Sequence, residues 1–319
     1  MAVYTAISPE ELTEFLAAYD VGLPQKLDGI AEGVENSNYR LQTDRANYIL
    51  TIYEKRLRAD DLPFFLSLMA GLAERGVRCP LPLRRRDGAL WGYFKGKPAA
   101  LLTFLQGRSR DRPQVQHCVA AAAACAQLHI AGSDLTLARQ NELGLEGWHR
   151  LADAVLERAD TVERGLGALI AQSLSHLDRV WPRGLPAGII HADLFPDNVL
   201  FADNRVSGLI DFYFACNDAF AYDLAIMLNA WCFESDGSYN TTKGSAMIAA
   251  YRRERDLSQA EIDALPVLAH GAALRFLLTR LYDWLHPDKT AMVRQKNPRD
   301  FSKRLRFHAK AQRAGDYIL

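Results

Sequence analysis

The stretch from 187 to 212 limits most tightly what this chain can fold into. Three short apolar runs, Ala187-Gly188-Ile189-Ile190, Val199-Leu200-Phe201 and Ser207-Gly208-Leu209-Ile210, are set apart by His191-Ala192-Asp193-Leu194-Phe195-Pro196-Asp197-Asn198 and by the polar turn Asp203-Asn204-Arg205. Runs of this length bounded by turn residues read as short strands. The pattern predicts Asp193 and Asp211 at the ends of neighbouring β-segments, with Asn198 between them in the chain. An acid, an amide and a second acid in that order supply a carboxylate for an attacking hydroxyl and oxygen ligands for a divalent cation. Phosphoryl transfer needs this set, because its catalysis is mostly positioning and charge neutralisation. Asp and Asn also suit ordinary turns. The His-x-Asp-x4-Asn spacing, the later Asp-Phe pair and the flanking strands together favour the chemical reading.

The N-terminal third reads differently from the rest. Ser8-Pro9-Glu10-Glu11 is a capping box opening a helix with Leu12, Phe15, Leu16 and Tyr19 on one face. Residues 38–43 and 48–53 alternate as strands and are joined by Asp44-Arg45-Ala46-Asn47, which predicts a hairpin. A helix is expected over 61–75, stopping at Gly76. A second sheet portion is expected from 83–86, an Asp87-Gly88 turn, 90–94, the turn Lys95-Gly96-Lys97-Pro98, and 100–105. After Gln106-Gly107 helical periodicity takes over, with helices expected at 116–129, 148–158, 162–180, 223–233, 245–253 and 261–285. The basic tail 289–313 reads as a solvated helix face. These segments predict two lobes: residues 1–105, a β-rich lobe with one helix, and residues 106–319, a mainly helical lobe carrying the catalytic loop.

Composition narrows the partners. Lys plus Arg equals Asp plus Glu at 38 each, so no overall basic field favours nucleic acid or an anionic membrane, and a small-molecule substrate is expected. Five cysteines without Cys-x-x-Cys spacing argue against a disulfide framework or a zinc site and fit a reducing cytoplasm. The first residues carry no signal-peptide pattern, and no uncharged run approaches membrane-spanning length. A monomer or homodimer is expected.

A resemblance extends these readings. The strings 33–39, 48–55, Leu128-His129, 191–198, 210–218, Tyr222-Asp223-Leu224-Ala225, 228–232 and 274–280 make the chain similar to the aminoglycoside-phosphotransferase-like kinases and, within them, to bacterial homoserine kinases of that fold. The resemblance implies an α+β, bilobal protein-kinase-like fold and ATP-dependent phosphorylation of the L-homoserine hydroxyl, a step toward threonine. Residue by residue, it implies Asp193 as the catalytic base, His191 as a brace of its loop, and Asn198 and Asp211 as ligands of Mg²⁺. Asp223 would act as a helix N-cap behind the site. Thr103, Phe104 and Leu105 would offer backbone groups to adenine, with Gly107 allowing the turn. Asn36, Ser37 and Asn38 would cover the phosphates, although this loop is no G-x-G-x-x-G and equally suits a polar hairpin.

Two features depart from the family. Thr51 stands where relatives carry a phosphate-binding Lys or Arg, and alternation along a strand puts Lys55 on the same face as a substitute. The helix glutamate that pairs with that lysine is also missing, leaving Glu54, Asp60 and Asp61 as the available acids. A zwitterionic acceptor needs a carboxylate for its ammonium and a cation for its carboxylate. The candidates are Tyr213, Asp218, Asn229, Trp231 and Arg275, with Asn217, Arg280 and Trp284 beside them, and aromatic residues at helical spacing also suit a core. His129 reads as a packed or capping histidine. Alternatives are a same-fold kinase for choline, ethanolamine, methylthioribose or an aminoglycoside, or a non-catalytic nucleotide-binding module.

Overall fold

The computed structural model describes residues 5–30, 36–54, 59–287, 295–311 and 313–317. Two compact units are present, one up to Gln106 and one from Gly107 onward.

In the first unit, the Ser8 hydroxyl accepts from the Glu11 amide at 3.3 Å and the Glu11 carboxylate from the Ser8 amide at 2.8 Å, which fixes the start of α1 (Pro9–Leu16). Leu12, Phe15 and Leu16 then face one side of a five-stranded antiparallel sheet, forming a core with Tyr39, Leu41, Leu50, Ile52, Phe94, Ala99 and Leu101. The strands are β1 (Pro24–Gly29), β2 (Asn36–Thr43), β3 (Asn47–Tyr53), β4 (Gly92–Phe94) and β5 (Lys97–Thr103), in the order β1-β2-β3-β5-β4. The β2–β3 hairpin lies where alternation predicts it, and α2 (Leu62–Glu74) ends before Gly76, which takes φ +84°.

Two strand readings change. β1 was not expected, because Pro-Gln-Lys-Leu-Asp-Gly has neither alternation nor β-branched residues; it is an exposed edge strand, where such residues discourage further pairing. The expected strand at 83–86 is no strand. A single bridge, Pro82 to Leu102, joins this region to β5. Pro80 and Pro82 have no amide hydrogen for a ladder, so the Asp87-Gly88 turn closes on an irregular loop.

The second unit is mainly helical: α3 (Val115–Gly132), α4 (Leu145–Val162), α5 (Leu166–Val180), α6 (Phe220–Trp231), α7 (Thr241–Glu254), α8 (Gln259–Leu285) and α9 (Arg299–His308). α8 packs against α4, α5, α6 and α9, and α3 against α7. α8 is 27 residues long and its most apolar 18-residue window has mean hydropathy 1.3, enough by length and composition to cross a membrane. However, 78% of that apolar window is buried inside the protein, as in a core helix. The tail is less solvated than expected, since α9 buries Phe301, Ser302, Leu305 and His308.

Four short strands interrupt the helices, paired as β6 (Ala187–Ile190) with β9 (Cys216–Ala219) and β7 (Val199–Ala202) with β8 (Arg205–Leu209). Asp193 follows β6 and Asp211 follows β8, so the two acids leave strands of different sheets, not neighbouring strands as expected. β9 was missed because Cys-Asn-Asp-Ala reads as loop. Asp203 and Asn204, at φ +48° and +62°, make the tight β7–β8 turn. Gly107 takes φ +136°, and a Cβ there would lie 2.2 Å from the Ser207 hydroxyl and 3.0 Å from the Phe201 carbonyl oxygen.

Candidate active site

The loop after β6 is held by its backbone. Both oxygens of Asp223 accept loop amides, from His191 and from Ala192, each at 2.8 Å. Arg275 Nη1 donates to the Ala192 carbonyl at 2.6 Å, and Trp231 Nε1 to the Leu194 carbonyl at 2.8 Å. Ala192 is thereby clamped on both sides in a left-handed conformation, φ +62°, that a residue with a Cβ rarely adopts. The strain sits immediately before Asp193.

His191 joins this loop to the one carrying Asp211. Its Nδ1 accepts the Asp193 amide at 3.3 Å, so the proton is on Nε2, which donates to the Ile210 carbonyl at 3.0 Å. Burial lowers the His191 pKa, in keeping with this neutral tautomer. Behind the loop, His129 lies 3.1 Å from Asp223 and 2.6 Å from the Tyr251 hydroxyl, all three buried. Burial alone would raise the Asp223 carboxyl, but the hydrogen bonds from His129 and from the His191 amide hold it below its ordinary value. Asp223 therefore differs from its expected role. It lies in the first turn of α6, whose N-cap is Ala219, and the amides it satisfies belong to the catalytic loop. His129 is packed, as read from the sequence, but its partner could not be read there.

Asn198 spends both amide hydrogens on Asp193, on the carbonyl at 2.8 Å and the carboxylate at 3.0 Å. Its side-chain oxygen is then left for another electrophile. Asp193 is half-buried, and its pKa is pushed up to about 8, first by burial and next by the Asp211 carboxylate, against Arg275 and Lys296. Two carboxylates that repel each other beside a free amide oxygen form a hard oxygen donor set, which fits Mg²⁺.

The other site candidates separate clearly. Asn229, Trp231 and Arg275 are at most 1% exposed. The Asn229 amide is used up on the Ala225 and Ala269 carbonyls and on His308, and Trp231 and Arg275 donate to the catalytic loop, so all three brace the loop and core. Asn217 ties β9 to Arg139, and Asp218 accepts from Asn141 at 2.7 Å. Tyr213 is half-buried in the turn after Asp211, and Trp284 is exposed.

In the first unit, the Thr51 hydroxyl donates to Asn38 at 2.8 Å. Ser37 is fully buried and donates to Glu54 at 2.7 Å, and Asn36 accepts the Glu54 amide at 3.4 Å. Glu54 also pairs with Lys97 and Thr5. Alternation puts Glu54 with Ile52 on the α1 side of the sheet and Thr51 on the other, so Glu54 is not the partner of a phosphate lysine at the Thr51 position. The Thr103 hydroxyl accepts the Leu81 amide at 2.9 Å, and Phe104 lies under Arg40. Lys55 and residues 33–35 lie outside the described residues.

Comparison with known proteins agrees with this geometry. The model of the phosphotransferase enzyme family matches residues 26–257. The chain is 54% identical to a homoserine kinase of Bradyrhizobium sp. (strain ORS 278) over 317 residues, covering 99% of this chain and 98% of that one. It is 56% identical to a homoserine kinase of Parvibaculum lavamentivorans over 308 residues, covering 97% and 96%. Two solved structures share its kinase-like α+β fold. An amicoumacin kinase aligns with TM-score 0.71 at 15% identity over 96% of this chain and 94% of its own. A microcompartment-associated aminopropanol kinase aligns with TM-score 0.71 at 18% identity over 98% and 99%. With the family model covering most of its length and close relatives covering nearly all of it, the chain belongs to the phosphotransferase enzyme family and, within it, to the homoserine kinases.

Proposed function

We propose that this chain transfers the γ-phosphoryl group of ATP to the side-chain hydroxyl of L-homoserine, giving O-phospho-L-homoserine and ADP. The observation that carries the reading is identity of 54–56% to homoserine kinases over nearly the whole chain, with Asp193, Asn198 and Asp211 in place. Asp193 orients the hydroxyl and takes its proton as the new O–P bond forms and the bond to the β-phosphate oxygen breaks. Mg²⁺, held by Asn198 and Asp211, would supply charge neutralisation at the β- and γ-phosphates. His191 keeps the two acid-bearing loops in register through the Ile210 carbonyl.

Residues 1–105 serve as the nucleotide-binding lobe and 106–319 as the lobe for catalysis and the acceptor. Phe104 and Leu105 lie past Thr103, the last ladder residue of β5, which supports the reading that their backbone groups meet an adenine edge. Five buried, unbridged cysteines fit a reducing compartment such as the cytoplasm. The fold does not select the acceptor, since its structural neighbours carry the names of kinases for amicoumacin and aminopropanol. The test is ADP release with Mg-ATP across L-homoserine, L-serine, L-threonine, choline, methylthioribose and kanamycin. Release with L-homoserine is expected. Release with a different member alone would reassign the acceptor, and silence with intact ATP binding would favour a regulatory module.

A further inference from the structure

Arg280, on α8, differs from the other buried cations of the second unit. Its side chain is 14% exposed and lies over the rings of Phe301, at 4.5 Å, and Phe195, at 5.9 Å. Among the described residues it has no hydrogen bond, and its ion-pair partner Asp300 is 3.8 Å away and mostly solvated. Arg275 and Arg304 instead each donate to a backbone carbonyl, of Ala192 and of Asn229, at 2.6 and 2.7 Å. Burial lowers the Arg280 pKa despite the nearby charges of Asp300, Asp197 and Asp193. A guanidinium presents five donors in a fork that matches a carboxylate, and keeping it half-dry without hydrogen-bond partners is costly unless a ligand supplies them.

A second cation approaches the same ring. Lys296 Nζ lies 5.6 Å from the centre of Phe195 and 3.0 Å from Asp197, and its charge acts on Asp193. Phe195 is two residues beyond Asp193, so both cations converge on the loop that carries the base. In a four-carbon amino-acid alcohol the carboxylate lies within roughly 5 Å of the hydroxyl, so a site for it must be close to that base.

We propose that Arg280, with Lys296 at its rim, binds the carboxylate of the acceptor and makes the enzyme select an amino-acid alcohol over an uncharged-end analogue. This rests on the homoserine reading above and gives it a residue for specificity. The test is steady-state kinetics of the wild type, Arg280→Gln and Arg280→Lys with L-homoserine and with L-homoserinamide, in which only the carboxylate is neutralised. Arg280→Gln is expected to raise the KM for L-homoserine roughly ten- to a hundred-fold, leaving the KM for ATP and the kinetics on the amide unchanged. Arg280→Lys, which keeps the charge but loses the fork, is expected to lose part of the selectivity and decides the matter if the glutamine variant does not fold.

Equal losses on both acceptors, a raised KM for ATP, or unchanged selectivity would overturn the proposal, the first two pointing to the transferred phosphoryl group or to folding. A wild type inactive on L-homoserine would remove the parent reading and this subsite together. An active wild type whose selectivity survives in both variants removes the subsite alone.

Discussion

Two polar clusters in this protein are built to opposite ends. In the first unit, Glu54 accepts from Lys97, Ser37 and Thr5, and although burial alone would raise it, these partners hold its pKa below the ordinary value. That cluster is neutralised from within and fastens the sheet. In the catalytic loop the bonds from Asp223, Arg275 and Trp231 go to the backbone, the Asp193 carboxylate accepts from Asn198, and burial with the Asp211 charge pushes Asp193 up to about 8. The contrast separates a carboxylate that its partners neutralise from one that burial and a like charge raise, and charge balance tells the two apart where composition does not.

The sharpest way to break the comparison is at Asp193. Asp193→Asn is expected to lower kcat by three or more orders of magnitude while retaining nucleotide binding, measured by single-turnover kinetics and ATP titration. Intact turnover would place the base elsewhere.

Next in size is the clamp on Ala192. Arg275→Met is expected to reduce kcat about a hundred-fold with little change in KM, because it frees a peptide held at φ +62° beside the base. Ala192→Gly, which adopts that φ without cost, should restore part of the loss when combined with Arg275→Met. A double variant no better than Arg275→Met would mean that Arg275 only fills the core.

A smaller effect concerns His270, which is buried against Ser173 and whose pKa burial lowers to about 4. Its folded pKa lies below the unfolded value near 6.5, so the folded state binds fewer protons. Stability is fully present above pH 6.5 and is lost as pH falls toward 4, by up to about 3 kcal/mol. Urea midpoints at pH 7.5 and 5 should drop less in His270→Gln than in the wild type.

The smallest effect is expected at the neutralised cluster. Glu54→Gln should cost no more than about 1 kcal/mol in urea unfolding and leave kcat unchanged, since Lys97 remains partly solvated. A large fall in kcat would show that the cluster serves the nucleotide.

Legibility in the sequence followed the range of the interaction. The β2–β3 hairpin, α1 with its capping box and the order of acids in the catalytic loop depend on residues a few positions apart, and all were readable. The edge strand β1 and the short β9 were not, because their pairing is supplied by β2 and β6, and their own residues carry no strand pattern. Asn229, Trp231 and Arg275 read as substrate groups because polar and aromatic residues near a site look alike in a string. Burial shows them to be braces. The Leu128-His129 pair was the one trace in the sequence of the His129–Asp223 contact, and it named no partner.

By itself the sequence determined the chemistry: the acids and amide of 191–211 lie within about twenty residues, so their spacing and flanking strands specify a phosphotransfer loop. Only the tertiary structure decided what aims that loop and what selects its acceptor. Asp223, Trp231 and Arg275 reach it from α6 and α8, and Arg280 comes to Phe195 only through the packing of α8. The physical reason is that a backbone hydrogen bond or a guanidinium left without hydrogen-bond partners depends on which elements fold together, and no local pattern of residue types records that.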